Sequence, residues 1–488
     1  MNYIKSLFIA LSSLLVVVGC NKDIKPTIEV DRHALYFSDW GAPAQSVSFV
    51  TEDAVRVAMV SISDGFECRI DNSAHKITVT PIGNKEGSND ELEKVGTLYV
   101  NALSKDGKTS GQTIYLYICE EVVLDANYTE ANCYIATKPN VKYTFQADRR
   151  PDRSTLDTKS AKLLWQSDMR VIRNVDYCDG KVSFIIEPSY EDTAKVPNAN
   201  GVIAAYNAKG EIIWSWHIWI TNTDPREEIC NYSNGAVFME RNLGAFTNSN
   251  ASENTQKIHD SYGLYYQWGR KDPFLRPETY DCSLGVGETI YNGESVHYTE
   301  EKTVETSATT GTEAYATANP MHFITNAKCI EEGGDGIGDW LYEPNNRLWN
   351  EEWGKILLND PCPYGWKVPS ANDFADLQLT DSEDATDLDV ARKRFGWWLN
   401  DGANNFFYNA CGYRRYNDGK IQNMNYHPSY PSVPEPWEGH YWTTDVYGDG
   451  TSVSMYFDLT TTRTINKFQN AKPSRRANGL QIRCIKVK

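Results

Sequence analysis

Apolar and polar positions alternate with a period of two through much of the first quarter of the chain. Ser46-Val47-Ser48-Phe49-Val50 alternates, Ile77 and Val79 alternate with threonines, and Ile114, Leu116 and Ile118 alternate with Tyr115 and Tyr117. Successive side chains of a strand point to opposite faces, so each run predicts a strand with one buried face. Short strands separated by turn residues predict an antiparallel, immunoglobulin-like sandwich over residues 28–121. Between its last two strands, Ser104-Lys105-Asp106-Gly107-Lys108 carries the Asp-Gly turn signature.

A second β-rich segment is predicted over residues 122–227. Its clearest strand sets Ile212, Trp214, Trp216, Ile218 and Ile220 on one face, with Ser215 and His217 on the other. The tryptophans are expected in the core and His217 half-exposed, with no second histidine or carboxylate at ligand spacing. Residues 228–488 are rich in Gly, Asn and Trp and predict an α+β domain with long loops, so the chain as a whole is expected to be mostly β. One short helix is predicted where Ser370 caps, Asp373 comes three residues later, and Phe374 and Leu377 form an apolar stripe. Residues 276–345, rich in Ser, Thr, Glu and Gly, read as a loop insertion; so long a stretch without clear elements is usually functional or disordered.

The chain opens with Lys5 and the apolar runs Leu7–Leu11 and Leu14–Val18, too short for a spanning helix of about 20 apolar residues. They end in Val17-Val18-Gly19-Cys20, which resembles the lipobox of bacterial lipoproteins. The resemblance implies a signal peptide over 1–19, cleavage before Cys20 and lipid on its sulfur. Several acyl chains on one cysteine meet the requirement for durable membrane anchoring. Residues 20–27 then form a tether similar to those that route some Bacteroidetes lipoproteins to the surface, and an outer-membrane lipoprotein, surface-exposed or periplasm-facing, is expected.

Charge and cysteines narrow the partners. A formal net charge of −17 and the lack of a basic block exclude nucleic acid as the expected partner. The 14 Trp and 29 Tyr suit extracellular β folds and sugar-binding surfaces alike. Eleven cysteines less Cys20 leave ten, an even number that admits disulfides in an oxidising compartment. No Cys-x-x-Cys pair is present, so neither a zinc ribbon nor a thioredoxin-like motif is available, and no metal or cofactor is implied.

Four blocks in the second half carry a further likeness: Phe238–Ala245, Gly263–Phe274, Asp360–Ser370, and Tyr441–Thr444 with Gly479–Ile485. In order and spacing they resemble the Fibrobacter succinogenes major paralogous domain, a family similar in fold to C-type lectins and formylglycine-generating enzymes. Ala131–Ile135 and Trp214–Trp219 resemble the region preceding that domain in Bacteroidetes surface and fimbrial-tip proteins. Such a fold joins early and late strands, which implies a disulfide between Cys362 and Cys484. Nearer the N-terminus, Ala34–Ser38, Ser46–Val50, Lys76–Thr80 and Ile114–Ile118 resemble the Bacteroidetes-associated carbohydrate-binding, often N-terminal (BACON) domain. That family often has a tryptophan where this chain has Phe66-Glu67-Cys68.

Catalytic motifs are lacking: there is no His-Glu-x-x-His, Gly-x-Ser-x-Gly or P-loop. Glu343-Pro344-Asn345 reads like the calcium-dependent sugar-binding tripeptide of mannose-type lectins, but it precedes the Cys362 block instead of the late Trp-containing strand. Gly333–Asp339 reads as a loop, and the acidic run Asp381–Asp389 as a solvated face without the alternating ligands of a calcium loop. The reactive cysteine pair of formylglycine-generating enzymes has no clear counterpart, since Cys411 and Cys484 stand apart and Cys484 has a structural use. The expectation is therefore a non-enzymatic binding protein with no catalytic residues.

Sugar recognition pairs an aromatic platform with a few placed polar groups. The late loops offer Trp437, Tyr441, Trp442, Asp445 and Tyr447, with Arg414 and Asn478 beside them, and His440 and Asp449 nearby. Trp437 and Tyr447 are expected to be exposed; Trp442 falls in a family core block, where burial is favoured over ligand contact. The expected ligand is a glycan, mucin or polysaccharide. The alternatives are a fimbrial tip or accessory subunit contacting protein, and an enzyme should two carboxylates converge in a cleft.

Overall fold

A computed structural model of the chain describes residues 25–85, 87–248, 251–282, 284–293, 297–298, 301–327, 338–349, 358–379, 394–422, 438–448, 450–458 and 468–487. Cys20, Trp437, Asp449, the acidic run 381–389 and residues 333–337 lie outside the described residues. The chain folds as two compact units. Of the described residues, one unit holds those up to 123 with 140–144 and 183–185, and the other holds 124–139, 145–182 and those from 186 onward. The second unit thus joins most of the segment expected to be a middle β domain with the whole of the C-terminal segment.

The first unit is a two-sheet sandwich. One sheet has the strand order Thr27–Val30, Gln45–Glu52, Lys76–Pro81, Phe66–Asp71, and the other Ala34–Phe37, Thr109–Ile118, Val95–Leu103, Arg56–Ile62. The period-two runs end where alternation demands. Val47, Phe49, Ile77, Val79, Leu98, Val100, Ile114 and Leu116 meet in one core, and most alternate positions face out, while Tyr117 is buried in a separate cluster with Ala34 and Ile185. Gly107 adopts φ +82° in the Asp-Gly turn, a conformation that glycine takes without Cβ strain, and Ser104 N and Lys108 O close the turn at 3.0 Å.

The second unit is also built from strands. Its largest sheet runs Cys133–Ala136, Ile212–Ile220, Ala199–Tyr206, Ser160–Gln166, Ile290–Tyr291, His297–Tyr298. Here His217 departs from expectation, with 2% exposure. The strand Ile212–Ile220 is internal to its sheet and covered on both faces, so one side buries Trp214 and Trp216 and the other buries Ser215, His217 and Trp219. Leu243 and Met239 pack in the same core as Trp219, and Trp219 Nε1 donates to Ala245 O at 3.0 Å. A strand buried on both faces carries polar residues inward only where each finds a partner.

That core continues through Trp268, Trp340, Trp349 and Trp442. The indole N–H of each of these four has an acceptor: Thr443 O for Trp268, Trp268 O for Trp340, Asn359 O for Trp349 and Tyr266 O for Trp442. Early and late strands join. Phe238 pairs with Ile485, Tyr266 with Leu480, and Trp366–Lys367 with Ile485–Lys486. Cys362 and Cys484 form a disulfide beside these ladders, closing a separation of 122 residues.

The predicted helix after Ser370 is one 3-10 turn, Ala371–Phe374. Asp373 Oδ2 accepts from Ser370 N at 2.8 Å, while Phe374 and Leu377 are buried. The insertion 276–345 holds more than loops: Lys302–Glu305 pairs in parallel with His322–Thr325, and a helix at Glu313–Ala318 is capped by Thr312. Asp339, within the glycine-rich stretch read as a loop, is fully buried and pairs with Arg476 at 3.2 Å.

Candidate functional site

The segment after Tyr265 builds one wall of a cleft. Tyr265 and Phe274 bridge, and Pro277 bridges to Gly287. Glu278 N donates to Val286 O at 3.1 Å and Glu288 N to Arg276 O at 2.9 Å. Arg276 and Glu288 are therefore cross-strand neighbours, and Arg276 Nε donates to Glu288 Oε2 at 2.8 Å. Gly287 suits this close pairing, because an added Cβ would come within 2.6 Å of Leu275 Cβ.

The opposite wall is a hairpin. Tyr413–Arg414 pairs with Ile421–Gln422, and Gly419 turns between them at φ +67°. A Cβ at Gly419 would also sit 2.5 Å from Thr303 Cγ2. Ile421 N donates to Gly285 O at 3.0 Å and so ties the two walls together. Below them Tyr265, Phe274, Cys282, Phe323 and Ile421 form an apolar cluster.

Arg414 lies over this floor, its guanidinium 5.2 Å from the Phe323 ring centre and 5.7 Å from that of Phe274. Its two terminal nitrogens donate to the two carboxylate oxygens of Glu301, and Nε donates to Gly419 O at 3.1 Å. The cleft encloses about 420 Å³, with Leu275, Val286 and Ile290 on its apolar side and Glu288, Glu301 and Arg414 among its polar groups. His297, Asp418 and Lys420 complete its polar rim. Val286 is 53% exposed at the edge.

Glu288 sets this cleft apart. Its side chain is 9% exposed, Oε2 meets Arg276, and Oε1 is buried without a hydrogen-bond partner. Burial raises its pKa above the usual carboxylate range, opposed by Arg276. A second cleft of about 420 Å³, lined by Ser233, Asn234, Asp376, Gln378, Asn400 and Asp401 among others, differs. There Asp401 already accepts from the backbone N–H of Ser233, Ala403 and Asn404.

Two carboxylates on one cleft raise the question of glycosidase chemistry. That chemistry needs one carboxyl as acid and the other as base or nucleophile. Glu301 has both oxygens engaged by the Arg414 fork, and Glu288 holds Arg276. In this arrangement both carboxylates are engaged by guanidinium groups.

The other site candidates disperse. Tyr441, read as a ligand contact, and Trp442, for which burial was favoured, are both fully buried; Tyr441 OH donates to Asn409 O at 2.9 Å. They fall in the core because Glu438–Gly448 pairs with Thr451–Asp458 and packs against the strands around Gly479. His440 is also buried, its Nε2 3.0 Å from Glu438 Oε2. Asp445 accepts from Ala371 N at 2.6 Å, and Asn478 Oδ1 from Tyr416 N at 2.9 Å; each fastens a loop. Tyr447 stands 69% exposed. Arg414 lines the cleft, whereas its neighbours there, Glu288 and Glu301, carry no signal in the local sequence. In the Glu343-Pro344-Asn345 tripeptide, Asn345 Nδ2 donates to Glu313 Oε1 at 2.8 Å.

One further cluster has the spacing of a nucleophile, a base and an orienting amide. Cys133 Sγ lies 3.3 Å from His217 Nδ1, and His217 Nε2 lies 2.9 Å from Asn200 Oδ1. All three are buried, and Asn200 Nδ2 donates to Gly244 O at 2.9 Å.

No family model matches the chain, and no curated protein matches it. Among solved structures it is similar to the Bacteroides ovatus mixed-linkage glucan utilization locus protein SGBP-B in complex with a mixed-linkage heptasaccharide. The identity is 9% over 39% of this chain and 43% of that one, with a TM-score of 0.11. A protocadherin gammaB7 EC3-6 structure matches at 10% identity over 41% and 50%, TM-score 0.15, so the chain spans half or less of both. SporoSAG from Toxoplasma gondii matches at 8% over 39% and 96%, TM-score 0.13. Scores this low carry no functional argument.

Proposed function

We propose that the chain is a non-enzymatic, cell-surface lipoprotein of the outer membrane that binds glycan through its second unit. In this reading Cys20 carries the lipid, the first unit is a BACON-like sandwich, and the second is a lectin-like domain of the major paralogous type. The observation that carries the binding role is the cleft at Arg414. It sets an apolar side beside a clamped Arg–Glu pair and a buried carboxylate oxygen without a partner. An apolar wall with a few fixed polar groups is the usual form of a small-ligand site. Mucin and polysaccharide are the ligand classes proposed. A glycan array probed with residues 27–488, at millimolar sensitivity, should return specific binders; no binding there would overturn the reading. Replacing Cys20 with alanine should release a folded protein from the membrane, and retention would refute the anchor.

A second reading rests on one observation in the first unit. The strand Arg56–Ile62 ends its sheet, Met59 and Val60 are exposed along it, and Val55 is exposed just before it. Such an edge can add a strand from another chain, which suits a fimbrial tip or accessory subunit. A proline at Val60 should abolish assembly with a partner while leaving glycan binding intact; assembly that persists would refute this reading.

A further inference from the structure

Small-ligand sites usually mix aliphatic and aromatic walls. The Arg414 cleft departs from that. Among its described lining residues the one ring is the His297 imidazole at the rim, and Phe274 and Phe323 lie beneath the Arg414 guanidinium. Its apolar surface is aliphatic, from Leu275, Val286 and Ile290. Leu275 and Ile290 are buried, whereas Val286 is more than half exposed. Gly285 and Gly287 flank Val286 in the chain, so no adjoining side chain covers it, and Gly287 lets Leu275 pack against the same strand. The backbone there is held from both sides. Val286 O accepts from Glu278 N at 3.1 Å, and Gly285 O accepts from Ile421 N at 3.0 Å.

Charge does not choose among neutral ligands here. Arginines already engage the three carboxylates of the lining: Arg276 at Glu288, Arg414 at Glu301 and Arg415 at Asp418. Lys420, on the same rim, has no ion-pair partner among the described residues. It draws acidic sugars to the cleft whatever apolar groups they carry. What distinguishes one neutral sugar from another is then the aliphatic side.

We propose that this aliphatic side takes a methyl group, with Val286 as its specificity-determining residue, so that saccharides bearing an acetamido or 6-deoxy methyl bind in preference to the same sugars without it. The inference rests on the glycan reading of the same site. A methyl packs on branched aliphatic chains without needing a ring, and burying one changes affinity about fourfold. Where the sugar carries a hydroxyl or hydroxymethyl instead, that group loses water against a wall that offers it no hydrogen bond.

The test uses the full-length chain in a detergent without a sugar headgroup, and four neutral probes in two matched pairs. Chitotetraose and cellotetraose differ at C2, and L-fucose and L-galactose differ at C6. In at least one pair, calorimetry should give the methyl-bearing member about fourfold or tighter binding, and the pair that responds identifies the source of the methyl. Val286→Ser should bring that pair within twofold while leaving Tm and the affinity of the methyl-free member unchanged; Val286→Leu should keep the preference. Should the serine variant melt lower, Val286→Thr, which keeps the branched shape, should narrow the same gap at an unchanged Tm. Equal affinities within both pairs, or a preference that survives in the serine and threonine variants, would overturn the inference and leave the glycan reading standing. So would binding of none of the four by a protein that recognises other sugars on the array. A blank array would remove the glycan reading and this inference together.

Discussion

Two polar clusters of the second unit differ in access more than in chemistry. In the large sheet, Cys133, His217 and Asn200 stand at hydrogen-bond spacing in the order of a thiol, a base and an orienting amide. At the cleft, Glu288 and Glu301 stand against Arg276 and Arg414 in what look like ordinary ion pairs. The first cluster is closed on all sides, and burial raises the Cys133 thiol pKa and lowers that of His217 to about 3. A nucleophile needs its thiolate and an approach path, and this one has neither. The second cluster has unremarkable geometry but opens on about 420 Å³ and retains an unmet acceptor. Side-chain spacing alone does not separate the two clusters; enclosure and hydrogen-bond satisfaction do.

The sharpest way to break this contrast is pH. His217 is neutral in the folded state with a pKa of about 3, against an ordinary value of 6.5. Its depressed value contributes stability that is fully present above pH 6.5 and lost as pH falls toward 3. At about 1.4 kcal/mol per unit, the loss is roughly 4–5 kcal/mol. Urea-unfolding midpoints of wild type and His217→Gln should converge across that window, and parallel curves would show that His217 is not buried neutral. Iodoacetamide on the native protein should label exposed Cys178 and spare Cys133. Rapid Cys133 labelling would reopen the catalytic reading.

The disulfide comes next. Closing 122 residues corresponds to at most roughly 4–5 kcal/mol in the chain-entropy picture. Cys362→Ser should lower thermal stability under oxidising conditions only, and equal stability with and without reductant would remove the bond. Smaller again is the cleft pair. Glu301→Ala leaves the Arg414 fork without its carboxylate, which should cost about 1–3 kcal/mol and weaken glycan binding about tenfold. Unchanged affinity would exclude Glu301 from the site.

Much of the strand content was legible because local alternation and local burial agree, as in Val47, Phe49, Ile77 and Val79. The Cys362–Cys484 pairing came from resemblance, since spacing alone leaves many partners for ten cysteines. His217 was misjudged because the layer over its face comes from Met239 and Leu243, which no local pattern announces. Tyr441 misled for a related reason: an aromatic residue flanked by polar ones looks loop-like, yet its strand is enclosed, as the core block around Trp442 already suggested. Arg414 was recognisable as a polar group near late aromatics, but its partner lies 113 positions earlier, in the insertion. The length of that insertion was the one signal toward the cleft.

Tyr447 offers the finest test of whether exposure or enclosure marks the binding surface. It is the most exposed of the described aromatic candidates at 69% and does not line the cleft. An exposed ring has little packing to lose, so Tyr447→Ala should change stability by no more than about 0.5 kcal/mol. If the cleft alone binds glycan, affinity should stay within twofold. A tenfold loss with unchanged stability would move the sugar platform to the hairpin tip. The cleft would then be an accessory contact, and an exposed ring would have outweighed an enclosed acceptor.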